Sequence, residues 1–128
     1  MKAIICNGYG TADVLEVGTR PLPVPDEGEV LIKVEYAALN RWDVMQRQGG
    51  QVLPPGFTDV MGLECAGRIV LEGANTPGEK LGKRVIALLA GGGYAQYAKV
   101  HATNTIDVPD AVDLQDAACF TEVWATAY

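Results

Sequence analysis

Apolar and polar positions alternate over much of the first hundred residues, as they do in strands with one buried face. Val30, Ile32, Val34 and Tyr36 interleave with Leu31, Lys33 and Glu35, which predicts a strand with the first set turned inward. Lys2–Cys6 is a short apolar strand, and Asn7-Gly8-Tyr9-Gly10 turns the chain back into a second at Val14–Val17. Pro21, Pro23 and Pro25 then enforce an extended connector, because each fixes its own φ and biases the residue before it away from helix. Further strands are predicted at Gly62–Leu71, Arg84–Leu89, Tyr94–Val100 and Thr105–Val108, the last stopped by Pro109. Polar Gly73–Gly78 and flexible Ala90-Gly91-Gly92-Gly93 separate them. Many short strands with Gly/Pro turns predict a barrel or sandwich.

Three segments carry the helical period instead. Asn40–Gln48 runs without a breaker until Gly49-Gly50. Asn40 with Asp43 three residues on resembles a capping box, and Asp43 with Arg47 stands at the i, i+4 spacing for an outer-face ion pair. Asp113 caps a short helix through Cys119, and Thr121-Glu122-Val123-Trp124 reads as a fresh cap and a first turn. Val123, Trp124, Ala127 and Tyr128 form an apolar stripe there with nothing after it to bury it.

Charge and composition narrow the function. Ten basic against sixteen acidic residues leave a net charge of −6, which argues against nucleic acid and anionic membranes as partners. No apolar run approaches a membrane span and the N-terminus lacks a signal-peptide core, so a cytoplasmic protein is the expectation. The three cysteines, Cys6, Cys65 and Cys119, are far apart and odd in number, which predicts buried free thiols rather than a disulfide or metal site. His101, the single histidine, has no ligand partner at metal-site spacing and is expected in an exposed loop. One residue resists the pattern. In Met61-Gly62-Leu63-Glu64-Cys65-Ala66-Gly67 a carboxylate sits in a run otherwise built for burial.

Four stretches, "ALNRWDVMQRQG", "MGLECAG", "GKRVIALLAGGGYAQYAKV" and "DAACFTEVWATAY", occur in the order found in the medium-chain dehydrogenase/reductase superfamily. The chain resembles its zinc-free branch of NADPH-dependent quinone oxidoreductases, especially the p53-inducible quinone oxidoreductase-like group. That resemblance implies a mainly β fold with short helices, a GroES-like distorted β-barrel. It implies a substrate domain over 1–119, and at 120–128 the start of the linker helix to a Rossmann NADPH-binding domain that this chain lacks. No G-x-G-x-x-G or similar phosphate loop is present, and the glycine cluster of "AGGGYAQ" precedes a strand, so a hairpin lining the cleft is the expectation there.

Zinc-dependent members of the superfamily carry Gly-His-Glu where this chain has Gly62-Leu63-Glu64, and a cysteine ligand where it has Asn40. Neither leucine nor a neutral amide serves zinc, so no bound metal is expected. The resemblance assigns Asn40 to the nicotinamide region as a catalytic and cofactor-binding group, and Thr126 to the nicotinamide end of the cofactor. Met45 and Gln51 stand where relatives often line the substrate pocket with tyrosine. Glu64 is expected to survive from the lost metal site in an electrostatic or architectural role on the substrate side, for example pairing with an arginine across the cleft. The plain alternative for Glu64 is a strand-end glutamate reaching solvent, and for Asn40 a helix cap. The implied function is the substrate-binding half of an enzyme moving hydride from NADPH to a quinone, inactive without the Rossmann half. A non-catalytic GroES-like binding or assembly module and an enone or alkenal reductase are the alternatives. The partners implied are a small quinone or enone and, through the uncovered apolar stripe, a second copy of the chain.

Overall fold

The computed structural model describes residues 1–50 and 57–128. Two antiparallel sheets form the body. The first pairs β1 (Lys2–Cys6) with β2 (Leu15–Thr19), matching Ile4 to Val17. The second has five strands in the order β6-β3-β4-β5-β7, with β3 (Glu29–Ala37) and β4 (Glu64–Glu72) central. Around them lie β5 (Arg84–Leu88), β6 (Tyr97–His101) and β7 (Thr105–Asp107). Three short helices complete it: α1 (Arg41–Arg47), α2 (Leu114–Ala117), and a C-terminal segment whose π-helical turn, Phe120–Trp124, runs into α3 (Ala125–Ala127). The fold is mainly β with short helices, as the resemblance implied.

The core gathers where the central strands meet. Val30 and Ile32 from β3, Cys65 and Ile69 from β4, Val85 and Ala87 from β5 and Ala98 and Val100 from β6 form one buried cluster. A fully buried isoleucine such as Ile32 or Ile69 contributes about 1.5–3 kcal/mol by leaving water. A second cluster of Ala66, Ile86, Val108, Leu114, Ala117 and Ala118 seats α2 against the other face. Gly67 is what lets β3 and β4 close, since a Cβ there would fall 2.1 Å from the Lys33 carbonyl oxygen.

The simple alternation expected for β3 holds only in part. Leu31 is buried along with Val30 and Ile32, whereas Tyr36 is exposed. The register shift between Leu31 and Ile32 comes from an extra residue on β4, Val70, and leaves β3 itself unbroken, whereas the shift between Val34 and Tyr36 skips Glu35 on β3 and moves Tyr36 out of the even alternation. The strand expected from Gly62 begins at Glu64 instead. Gly62 has φ +99°, and a Cβ on it would meet the Tyr94 amide nitrogen at 2.7 Å, so the chain bends tightly there. The glycine link does lie against this bend: Gly92, Gly93 and Tyr94 donate their N–H groups to the carbonyls of Val60, Gly62 and Met61.

The cysteine expectation is corrected in two places. Cys65 is buried, but Cys6 and Cys119 are only partly covered. His101 is exposed as expected, though at the end of β6 rather than in a loop. No helix among the described residues is long and apolar enough to cross a membrane.

Candidate functional site

The site is built where the end of β3, the start of α1, the start of β4 and the C-terminal turn converge. Asn40 is the N-cap of α1, with extended backbone at φ −118° and ψ 151°, and forms a capping box with Asp43. The Asn40 N–H donates to Asp43 Oδ2 at 2.7 Å. Asn40 and Asp43 are nearly buried, with 7% and 6% of their surface exposed.

Asp43 does not make the surface pair with Arg47 that its spacing suggested. It lies on the inner face of α1, and its Oδ2 also accepts the Tyr94 hydroxyl at 2.5 Å. Arg47 turns the other way and donates to the Gly10 carbonyl at 2.9 Å. A capping-box carboxylate must curl back over the first turn, which here faces the protein, so solvent pairing is forfeited. Burial, then the hydrogen bond to Asp43, push the Tyr94 phenol well above its ordinary range.

Glu64 has no exposed surface. Both its expected partners fail: it reaches neither solvent nor, among the described residues, an ion-pairing arginine. Its carboxylate instead collects four donors. Oε1 accepts from Asn40 Nδ2 at 3.1 Å and from the Val123 N–H at 3.0 Å. Oε2 accepts from the Glu122 N–H at 2.8 Å and the Thr121 hydroxyl at 3.0 Å. An isolated buried carboxylate would be prohibitive, and these donors make it tenable. Two are backbone groups of the π-helical turn, which a helix start leaves unpaired. The role is architectural, then, but through hydrogen bonds to a helix start rather than through a cation.

Thr121 was expected to cap that turn. Glu64 caps it instead, and the Thr121 hydroxyl is shared between Glu64 and the Ala87 carbonyl at 3.2 Å. Beside Glu64, burial and then its negative charge push the Cys65 thiol up to about 12, which makes it inert as a nucleophile.

The remaining expected residues are scattered. Met45 is half-buried on α1. Thr126 is exposed on α3 and donates to Glu122 Oε1 at 3.0 Å, so its hydroxyl is engaged within the helix. Gln51 lies outside the described residues. The structure thus joins Asn40 to Glu64 and gives neither Met45 nor Thr126 a hydrogen bond to them. Asp43 and Tyr94 were missed as members of the network. A hint lay in the capping-box spacing, which already turned the Asp43 carboxylate back toward Asn40.

Among the described residues no three His, Cys, Asp or Glu side chains converge to hold a metal ion. At the positions of the zinc ligands stand Leu63 and the Asn40 amide, which is already tied to Glu64. For a dinucleotide, an amide and a hydroxyl suit the carboxamide end. No glycine-rich turn opens an α-helix after a strand among the described residues, which therefore show no helix-start cradle for phosphates.

Comparisons with known proteins agree with this arrangement. The alcohol dehydrogenase GroES-like domain family matches residues 26–110. The chain is 31% identical over 128 residues to the synaptic vesicle membrane protein VAT-1 homolog-like of Mus musculus, covering all of this chain and 31% of that protein. It is 32% identical over 130 residues to a quinone oxidoreductase of Lama guanicoe, covering all of this chain and 39% of that protein. This chain therefore spans well under half the length of the curated relatives it matches. Among solved structures, the human VAT-1 homolog-like protein superimposes with a TM-score of 0.92 at 31% identity, over 100% of this chain and 41% of that one. Escherichia coli quinone oxidoreductase complexed with NADPH gives 0.84 at 25% identity, over 93% and 36%. By its family match over most of its length and its antiparallel β body, the chain belongs to the alcohol dehydrogenase GroES-like domain family of the medium-chain dehydrogenase/reductase superfamily.

Proposed function

We propose that this chain is the substrate-binding domain of an NADPH-dependent quinone oxidoreductase that works without zinc. The observation that carries the reading is the buried Asn40–Glu64 pair, a neutral amide held at 3.1 Å where zinc-dependent relatives place a metal ligand. Similar proteins and solved structures, quinone oxidoreductases among them and one complexed with NADPH, support the same reading.

When bound, NADPH supplies the hydride, and the quinone oxygen takes its proton from water. The chain's own work is to position and to exclude. Asn40 donates one Nδ2 hydrogen to Glu64 while its oxygen accepts the Asp43 N–H in the capping box, so the second amide hydrogen and the second lone pair of that oxygen are what it has to orient the carboxamide, while Thr126 meets the nicotinamide end. Met45 and Gln51 border the quinone without the tyrosines common in relatives, which favours acceptors that need no aromatic clamp. Residues 1–119 form the substrate domain and 120–128 lead toward the nucleotide-binding domain, so the chain alone is inactive in this reading. The location proposed is cytoplasmic.

The test is Asn40→Ala in a protein carrying this domain together with its nucleotide-binding domain. Loss of one positioning hydrogen bond lowers kcat/KM for 1,4-naphthoquinone about 5- to 150-fold, equivalent to roughly 1–3 kcal/mol, with circular dichroism unchanged. Unchanged activity leaves Asn40 as a helix cap only, whereas an unsubstituted protein that reduces no quinone with NADPH overturns the enzyme reading.

A further inference from the structure

The four donors of Glu64 come from two different parts of the chain: the Asn40 amide at the head of α1, and the start of the C-terminal turn, 57 to 59 residues on. We infer that Glu64 is a positioning residue that makes the orientation of the Asn40 amide conditional on the docking of Thr121–Val123. The inference rests on the proposed role of Asn40, and goes beyond it by naming what holds that amide and what releases it.

A carboxylate only accepts, and its two oxygens offer about four lone-pair sites. Here each oxygen takes two donors, so the group is saturated. Asn40 can face it only through Nδ2, because the flipped amide would set Oδ1 against a carboxylate oxygen. The side-chain oxygen is therefore held away from Glu64, toward the Asp43 N–H of the capping box. Oε1 is the shared atom: it takes Asn40 Nδ2 at 3.1 Å and Val123 N–H at 3.0 Å.

If the turn leaves, Glu64 loses three of its four donors together with the segment that supplied them. A carboxylate so exposed to unmet demand must admit water or move, and either change unseats the Asn40 nitrogen. The C-terminal turn is well placed to leave. Beyond Val123 the segment has little to hold it: Trp124 is 55% exposed, and Ala125, Thr126, Ala127 and Tyr128 are all exposed. Its attachment at Thr121–Val123 is made through Glu64 and the Ala87 carbonyl.

Two measurements on the 128-residue chain test this with neither quinone nor NADPH present, so its failure is read separately from failure of the enzyme reading. The first follows the Asn40 side-chain amide signals by NMR. The second follows hydrogen exchange at the Glu122 and Val123 amides. Glu64→Gln, whose amide nitrogen must face a donor, should lower protection at both amides at least tenfold and shift the Asn40 signals. Val123→Pro removes one donor and drives Glu122 out of helical backbone, undocking the turn without touching Asn40. It should shift the Asn40 signals in the same direction. Thr121→Val keeps the shape, removes one donor and should shift them less, which preserves the test if Val123→Pro does not fold. Asn40 signals that stay in place in Thr121→Val and Val123→Pro overturn the inference, as does a Glu64→Gln protein with both backbone amides still protected.

Discussion

Tyr94→Phe deletes one hydroxyl and leaves everything else in place. That hydroxyl lies 2.5 Å from Asp43 Oδ2 and 3.2 Å from the Ala38 carbonyl, and ties the glycine link to the head of α1. A hydrogen bond to a charged group contributes about 1.5–3 kcal/mol. Asp43 has little to fall back on. It keeps the Asn40 N–H at 2.7 Å, while its other oxygen, Oδ1, is buried without a partner. The loss should fall toward the upper end, about 2–3 kcal/mol, which for a chain of this size lowers Tm by roughly 6–15 °C. Urea unfolding measures it, as a lower midpoint with an unchanged slope. A cycle with Asp43→Asn should return a coupling of about 1.5 kcal/mol or more between the two positions. The pH dependence adds a second signature. The folded chain keeps the Tyr94 proton to higher pH than the unfolded chain does, because burial and Asp43 raise the phenol's pKa. The resulting stability is complete below about pH 10 and is lost as pH rises through the folded value. The gap between parent and Tyr94→Phe should therefore narrow above about pH 10. A Tyr94→Phe protein within about 0.5 kcal/mol of the parent, or additive effects in the cycle, would refute the reasoning.

Three further outcomes follow from the same geometry. Cys65, with its thiol raised from an ordinary value near 9 to about 12, stabilises the fold below about pH 9 and loses that contribution above it. Between about pH 9 and 12 the parent should lose about 1.4 kcal/mol per pH unit more than Cys65→Ala, and parallel pH–stability curves would contradict this. Dialysed protein should hold far less than one equivalent of zinc by elemental analysis, given Asn40 and Leu63 at the ligand positions, and one equivalent would count against the zinc-free reading. Phe120 and Trp124 stack with ring centroids 5.4 Å apart, on a largely exposed segment that ends in Tyr128. Such an apolar patch favours association, so sedimentation at micromolar concentration should show self-association, and a clean monomer would show that the patch does not act this way.

Local pattern alone determined a good deal of this protein. The strand Lys2–Cys6, the helix capped by Asn40, the cap at Asp113 and the turn signals were all legible, because each depends on residues within one or two turns of one another. So was the oddity of Glu64, a charge among residues suited to burial. What answered it was not local. Its donors lie 24 residues before it and 57 to 59 after it, and no periodicity carries information across such distances. Tyr36 shows a related limit: alternation presumes an unbroken register, and the bulge at Glu35 in β3 breaks it. Asp43 shows the same limit within a single helix. The i, i+4 spacing to Arg47 offered one partner and the capping box another; the capping box holds, and the fold adds Tyr94, 51 residues away, which no local spacing announces. The sequence placed the polar groups, and the tertiary structure chose their partners, because a buried donor or acceptor is satisfied by whatever the fold brings within about 3 Å of it.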